Sequence, residues 1–481
     1  EIISKEKEEL KLTLKKENVW EKYFSKYEKE AFEFCEEYKE FLDKSKTERE
    51  SIKFIKDLLD KNGFKSIDEK ETKSSKGKKD NKSQRGFYRI VHNKTIVIYI
   101  SGKKGIEEGL NIIGGHIDAP RIDLKPNPLY EDSGMSFFKT HYYGGIKKYQ
   151  WTSIPLAIHG VFVKENGEVI EITLGEKETD PVFTITDLLP HLAQEQMQKK
   201  LGEGISGEEL NLLVGTIPLM EKEQGKEVKE KFKLNVLRYL YKEYGIKEED
   251  FISSEIQIVP AFKAKDVGFD RSLVGAYGQD DRICSYIALR ALIDATDLEH
   301  SCVCYLSDKE EIGSVGNTGA QSNVFDDFVL DVCNKTGFAH PLLAMKKCFR
   351  NSIMLSADVN AAFDPTFAGV FEKNNSSFMG KGVVINKYTG SRGKSGASDA
   401  NAEFVALVRN IFNRNDIAWQ AAELGKVDQG GGGTIALFFA NKGINVIDSG
   451  VAILSMHSPF EIASKMDIYT TYRAYKAFYE Y

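Results

Sequence analysis

The sequence predicts an α/β fold whose central mixed sheet is flanked by helices and interrupted by a β-rich segment. Three observations carry this. Short apolar runs alternate with helix-period stretches in the first quarter of the chain and again after Ser253. Between them, around residues 155–174, the period falls to 2. There the turn Glu165-Asn-Gly-Glu168 separates VFV from VIEITL, and Asn-Gly accepts the positive φ that a tight hairpin needs at both turn positions.

Taken in order, residues 6–62 read as helices rich in Glu and Lys, with Trp20, Tyr23 and Phe24 supplying an apolar stripe. The Lys/Ser/Asp-rich stretch SSKGKKDNKSQ, between Asp68 and Gly86, reads as a solvated surface loop rather than a polyanion site, because acids are mixed in nearby. Strands follow at FYRIV, TIVIYI and Leu110–Ile113. The span 191–250 reads as helical and highly charged, with Phe232, Val236, Leu240 and Tyr244 on one face. SCVCYL (301–306) and SIMLSA (352–357) are buried-strand candidates, and Ile283, Ile287 and Ala291 mark a helix after Asp280. Ser458-Pro-Phe-Glu461 fits a capping box ahead of a closing helix striped by Ile468, Tyr472, Tyr475 and Tyr479.

With 481 residues the chain can bury a large core, and its 41% apolar and 29% charged residues are ordinary for a soluble protein. Sixty-six basic against 72 acidic side chains leave a net charge of −6, which argues against nucleic acid or a membrane surface as partner. The first ten residues lack the apolar core of a signal peptide, and the start at Glu1 rather than Met points to a trimmed chain. The densest apolar run, Thr95–Ile100, is far below the roughly 20 residues that span a bilayer. Six cysteines without a C-x-x-C pair or regular framework read as reduced and buried, in a cytoplasmic protein.

Five segments place nitrogen or oxygen ligands at the ends of expected strands, where open α/β sheets collect their ligands. They are Gly114-Gly-His-Ile-Asp118, Gly278-Gln-Asp-Asp-Arg282, Asp308-Lys-Glu-Glu-Ile-Gly313, Ser356-Ala-Asp358 and Ser455-Met-His-Ser-Pro459. Singly each has a plain reading: His116 as a structural histidine, Asp280-Asp281 as a helix cap, Glu310-Glu311 as a solvated face. Together, two histidines and several carboxylates match the ligand set that zinc and manganese accept, and the lack of thiolates argues against a closed structural zinc site.

From about Trp20 to the C-terminus the sequence resembles the aspartyl-aminopeptidase family of dinuclear metallo-exopeptidases, in its bacterial form. The stretches that carry the resemblance are GGHIDAPRIDLKPNPLYED, FFKTHYYGGIKKYQW, VGAYGQDDRICSY, DKEEIGSVGNTGAQS, LSADVNAAFDP, DQGGGGTIA and LSMHSPFEI, in that order. The resemblance implies a catalytic domain of residues 1–122 and 264–481, interrupted by a β-rich dimerisation domain of residues 123–263. It implies two divalent ions per subunit, zinc with manganese or cobalt as alternatives. His116 and Asp358 would hold one ion, Glu311 and His457 the other, and Asp280 would bridge them. Asp118 would orient His116, Glu310 would act as general base on a shared water, and a cis peptide would follow Asp280. The family often has Asp-Asn where this chain has Asp280-Asp281.

His159 matches a family histidine that reaches a neighbouring subunit's site and steadies the oxyanion. The plain reading is a surface histidine on a strand. The Gly430–Gly433 run fits no phosphate-loop pattern and reads as a tight turn that lets backbone, Gly432 and Gly433 included, approach the substrate. Lys387, Arg392 and Lys394 overlap the region where acid-preferring relatives place a specificity lysine, although the Arg-Tyr that often follows there is Ser395-Gly396 here. The expected protein is a metal-dependent aminopeptidase that removes N-terminal residues, Asp and Glu first, from peptides with a free N-terminus. The expected assembly is a tetrahedral dodecamer built from dimers. Rival readings are a neutral-residue aminopeptidase, a metallo-amidase or deacetylase, and a silent cargo or scaffold protein.

Overall fold

The computed structural model describes residues 12–14, 16–69, 84–220 and 229–481. Most of the Lys/Ser/Asp-rich stretch therefore lies outside the described residues, as does the start of the chain.

A nine-stranded sheet forms the centre. Its strands are β1 (Phe64–Ser66), β2 (Gly86–Val91), β3 (Thr95–Ile100), β4 (Leu110–His116), β14 (Ser301–Ser307), β15 (Ile353–Ala357), β17 (Val383–Asn386), β18 (Trp419–Ala421) and β19 (Asn445–Gly450), in the order β1-β2-β3-β14-β4-β15-β19-β17-β18. The inner four, β14, β4, β15 and β19, run parallel. Their buried faces explain the continuous apolar runs: strands covered on both sides have no polar face to alternate with.

One face is covered by helices α1 (Val19–Lys44), α2 (Glu48–Lys61), α4 (Gln279–Asp294), α7 (Ala402–Arg414) and α8 (Lys465–Tyr479), counting only the longer helices. The other face is covered by α5 (Val324–Lys335) and α6 (Pro341–Asn351). α1 starts where the Asn18 side chain accepts the N–H groups of Trp20 and Glu21, and α2 starts on a Thr47/Glu50 capping box. All six cysteines are free and buried, Cys302 and Cys304 in the same core cluster. Among the described residues no helix is long and apolar enough to cross a membrane.

A second, seven-stranded sheet is built wholly from residues 121–260. It contains β5 (Arg121–Asp132), β6 (Met135–Tyr143), β7 (Leu156–Val163), β8 (Val169–Leu174), β9 (Thr184–Ile185), β10 (Leu212–Gly215) and β11 (Ser254–Pro260), in the order β8-β7-β11-β5-β6-β10-β9. A third sheet joins β12 (Lys265–Val267), β13 (Leu273–Ala276), β21 (Glu461–Ser464), β20 (Ala452–Leu454) and β16 (Asn360–Ala361).

Two sequence readings change. Among its described residues the long helical span 191–250 contains one substantial helix, α3 (Lys231–Tyr244), while Leu212–Gly215 pairs with β6 as a strand. Glycines at 202, 204, 207 and 215 break the earlier part, and an apolar stripe begins only at Phe232. Ser458–Glu461 caps no helix: Glu461 opens β21, and α8 begins at Lys465. The carboxylate of Glu461 is instead committed to the backbone N–H groups of His457 and Asp280.

Candidate metal centre

The parallel strands carry their carboxyl ends to one edge. His116 is the last residue of β4, Asp358 follows β15, and Glu310-Glu311 form a single 3-10 turn after β14. The third sheet delivers the other two candidates: Asp280 lies shortly after β13, and His457 lies between β20 and β21. The Asp280–Asp281 peptide is cis.

These side chains converge. His116 Nε2 lies 3.3 Å from Asp280 Oδ1, 3.6 Å from Glu310 Oε2 and 3.9 Å from Asp358 Oδ1. His457 Nε2 lies 3.0 Å from Asp280 Oδ2 and 3.4 Å from Glu311 Oε1. Asp280 thus turns one oxygen to each histidine. Ligand atoms of His116, Asp280 and Asp358 lie within 4.8 Å of one another, and so do those of Asp280, Glu311 and His457.

The donor set fits divalent metal. His116 Nε2 and Glu311 Oε1 are buried without a hydrogen bond, which a protein seldom tolerates unless another partner is intended. Burial and the charges of Asp118 and Asp280 push Glu310 up to about 7. Burial and the Asp280 charge raise Glu311, and burial and Asp281 raise Asp358. Burial opposes ionisation of Asp280 as well, yet the His116 and His457 rings close to its two oxygens hold it below the usual carboxylate range. Acids packed this densely are relieved by cations among them.

Asp118 stands behind this cluster, fully buried. Its Oδ1 is 3.1 Å from His116 Nδ1 and accepts the Glu310 N–H at 3.1 Å. Its Oδ2 accepts the Glu311 N–H at 3.1 Å and the Tyr143 hydroxyl at 2.8 Å. One carboxylate therefore orients a histidine and pins the Glu310-Glu311 turn.

A cavity of about 470 Å³ opens on the cluster. Gly432 and Gly433 line it, with open space around Gly432 and only Gly396 O, at 3.9 Å, near a Cβ placed on Gly433. Val359, Leu437, Phe438 and Met456 give it apolar walls, and none of its described lining residues is Lys or Arg. Lys387 and Lys394 lie outside the lining, 4.0 and 3.1 Å from Asp399. Arg392 and Lys394 border a separate, smaller hollow. From their loop, Thr389 and Gly396 reach the cavity instead.

His159 is not brought to this site in its own chain. It is buried on β7, with Nδ1 2.7 Å from Glu50 Oε1 and Nε2 2.9 Å from Glu176 Oε1.

A family model described as aminopeptidase I zinc metalloprotease (M18) matches residues 41–479. The chain belongs to the M18 aminopeptidase family. This M18 chain is 49% identical over 461 residues to the probable M18 family aminopeptidase 1 of Clostridium acetobutylicum, covering 96% of this chain and 97% of the relative. The corresponding Thermotoga maritima protein is 48% identical over 469 residues, 98% of this chain and all of the relative. A crystal structure of an M18 aminopeptidase from Thermotoga maritima superposes with a TM-score of 0.90 at 47% identity, covering 97% of this chain and 100% of that one. A structure described as the mApe1 dodecamer of Saccharomyces cerevisiae shares the fold, with a TM-score of 0.71 at 23% identity over 95% and 97% of the two chains.

One residue lining the cavity gave no sequence signal. Asp448, within β19, lines the cavity and accepts a hydrogen bond from Thr434, and burial pushes its carboxyl up to about 6. A lone acid in an apolar strand has no motif to flag it. Glu461 had a signal, its place four residues after His457, but the Ser-Pro-Phe-Glu pattern reads as a helix cap.

Proposed function

We propose that this M18 chain is a co-catalytic aminopeptidase holding two divalent ions, one by His116, Asp358 and Asp280, the other by His457, Glu311 and Asp280. The observation that carries the reading is the placement of the two Asp280 oxygens before the two histidines. Bound ions, zinc by the family description, supply Lewis acidity and a water of lowered pKa. Glu310 remains outside both sets. Its carboxylate lies beside both sets without being needed by either, which suits it to take a proton from the attacking water and return it to the leaving amine nitrogen. Asp118 keeps Glu310 in place through its backbone N–H, so the base does not drift during turnover.

The acidic end of the cavity suits a free, positively charged N-terminus. For the side chain of that first residue, the apolar walls and the lack of a cation among the described lining residues favour neutral residues over Asp and Glu, since an unpaired carboxylate is costly to bury. The acidic preference would need Arg392 or Lys394 to serve from the neighbouring hollow. Residues 123–263 are read as an inserted dimerisation domain. The dodecamer described for the yeast relative supports a closed homo-oligomer of the same kind.

The test is a panel of Leu, Met, Asp and Glu amides, free and N-acetylated, assayed with Zn, Mn and Co. Leu and Met amides should turn over fastest, and every acetylated amide should be inert. Turnover of acetylated substrates would make the protein an amidase or deacetylase. Absence of both bound metal and turnover would leave a silent scaffold.

A further inference from the structure

The segment Tyr143-Gly144-Gly145 belongs to the YYGG stretch that carried the family resemblance, yet no step of the proposed reaction uses it. It leaves the end of β6, in the second sheet, and runs against the metal centre. The Tyr143 hydroxyl donates to Asp118 Oδ2 at 2.8 Å, and His457 Nδ1 lies 2.9 Å from the Gly145 carbonyl oxygen. Gly144 has a φ of +72°, and a Cβ there would stand 3.4 Å from the Cβ of Glu311. Glycine thus lets this backbone pass against one ligand while its neighbour's carbonyl reaches another.

We infer that Tyr143-Gly144-Gly145 is a positioning arm through which the inserted sheet sets both histidine ligands of the catalytic centre. A carbonyl can only accept, so the Gly145 contact calls for a proton on His457 Nδ1 and leaves Nε2, which faces Asp280 and Glu311, to bind an ion between them. On the other side, the Tyr143 hydroxyl donates to Asp118 Oδ2, which also accepts the Glu311 N–H, while Oδ1 of the same carboxylate faces His116 and accepts the Glu310 N–H. The arm is itself anchored. The Arg121 guanidinium stacks 3.8 Å over the Tyr143 ring and is paired to Asp123 at 2.8 Å and to Glu48 on α2. The centre is in register only when the second sheet is seated, so an insertion that serves assembly also completes the site.

The inference rests on the aminopeptidase reading, and its test uses the full chain. Tyr143→Phe keeps the ring over Arg121 and removes only the hydroxyl. We expect metal affinity, measured by chelator competition, to fall about 10–100-fold, as outer hydrogen-bond partners of metal ligands typically cost. kcat should fall about tenfold with KM changed less than threefold, and thermal unfolding of the metal-free protein should hardly move. The double variant Tyr143→Phe/Asp118→Asn should lose no more than Asp118→Asn alone, because the hydroxyl acts through that carboxylate. Metal affinity and kcat within twofold of wild type would overturn the inference, as would fully additive losses. Should Tyr143→Phe not accumulate, Gly145→Val carries the test, since its branched side chain grows from a Cβ 3.4 Å from His457 Nδ1. It should release metal at a chelator concentration the wild type withstands, and unchanged retention would refute the arm. Wild type and Glu310→Gln run alongside: a wild type without metal or turnover sinks the aminopeptidase reading and the arm together. A metal-loaded, active wild type beside an indistinguishable Tyr143→Phe sinks the arm alone.

Discussion

Glu310→Gln separates the base from the metal ligands. The amide has the same shape as the acid, so packing in a side chain only 13% exposed is kept while the proton-accepting oxygen is lost. Each proposed ion keeps a histidine, a terminal carboxylate and its share of Asp280, so metal content should stay at two per subunit. The chemical step should lose what a positioned general base contributes, roughly 10²–10⁴ in kcat. That corresponds to about 2.7–5.5 kcal/mol of barrier. KM should hold within a few-fold, because Glu310 is assigned to proton transfer rather than to binding. Asp280→Ala is the contrasting variant: it removes an oxygen from both histidine environments at once, and both ions should be lost. The assay is steady-state hydrolysis of Leu-amide on protein whose metal content has been measured. A Glu310→Gln enzyme within threefold of wild type, or one that has shed its metal, would refute the division of roles.

Three further outcomes follow. Gly431→Ala should destabilise by about 1–3 kcal/mol, since its φ of +120° and a Cβ 1.9 Å from Gly390 O leave no room; Gly433→Ala should keep its melting temperature but raise KM by pushing a methyl into the cavity. Glu255 on β11, held at about 2 by its bonds to Arg49 and Lys94 against the cost of burial, is depressed below its unfolded pKa. Its contribution is therefore present above about 4.5 and lost as pH falls towards 2. Glu255→Gln should cost no more than about 1 kcal/mol at pH 7, screened because the residue is 42% exposed, and nothing at pH 2 in equilibrium unfolding. His159 faces Glu50 and Glu176 in its own chain, and if it serves a neighbouring subunit's site as the resemblance implies, mixing inactive His159→Ala and Glu310→Gln subunits should restore some activity. No recovery despite proven subunit exchange would count against that role.

What the sequence showed and what it hid divide along a physical line. The ligand segments were legible because a parallel sheet turns strand order into position. His116, Glu310, Glu311 and Asp358 are far apart in the chain, yet β4, β14 and β15 are adjacent and end on one edge. A short apolar run followed at once by a polar residue suffices to place each of them. Hairpin β7–β8 was legible for a similarly local reason, its Asn-Gly turn. Of the residues that hold the ligand side chains in place, Asp118 was legible through the resemblance, but the others were not, because their bonds run to backbone groups brought near only by the finished fold. Glu461 accepts from His457 and Asp280, and Gly145 offers a carbonyl that any residue would carry. No side-chain pattern encodes such a contact.

This difference bears on how the centre would set the spacing of its ions. Its side chains come from two sheets of the same body, and their outer atoms are tied to a third set of strands through Tyr143 and Gly145. A ligand cluster hung on one flexible loop could adapt to whichever ion arrived, whereas one fixed from three directions imposes its own spacing. The two Asp280 oxygens, each facing a histidine, leave little freedom in the distance between the ions they would share. Loosening any one support should therefore weaken both positions together rather than convert the centre to a one-metal site. That coupling is the reason to follow metal stoichiometry as well as rate in every variant: loss of ions in pairs is the signature of a shared carboxylate, and clean loss of one would mean the two sets are independent.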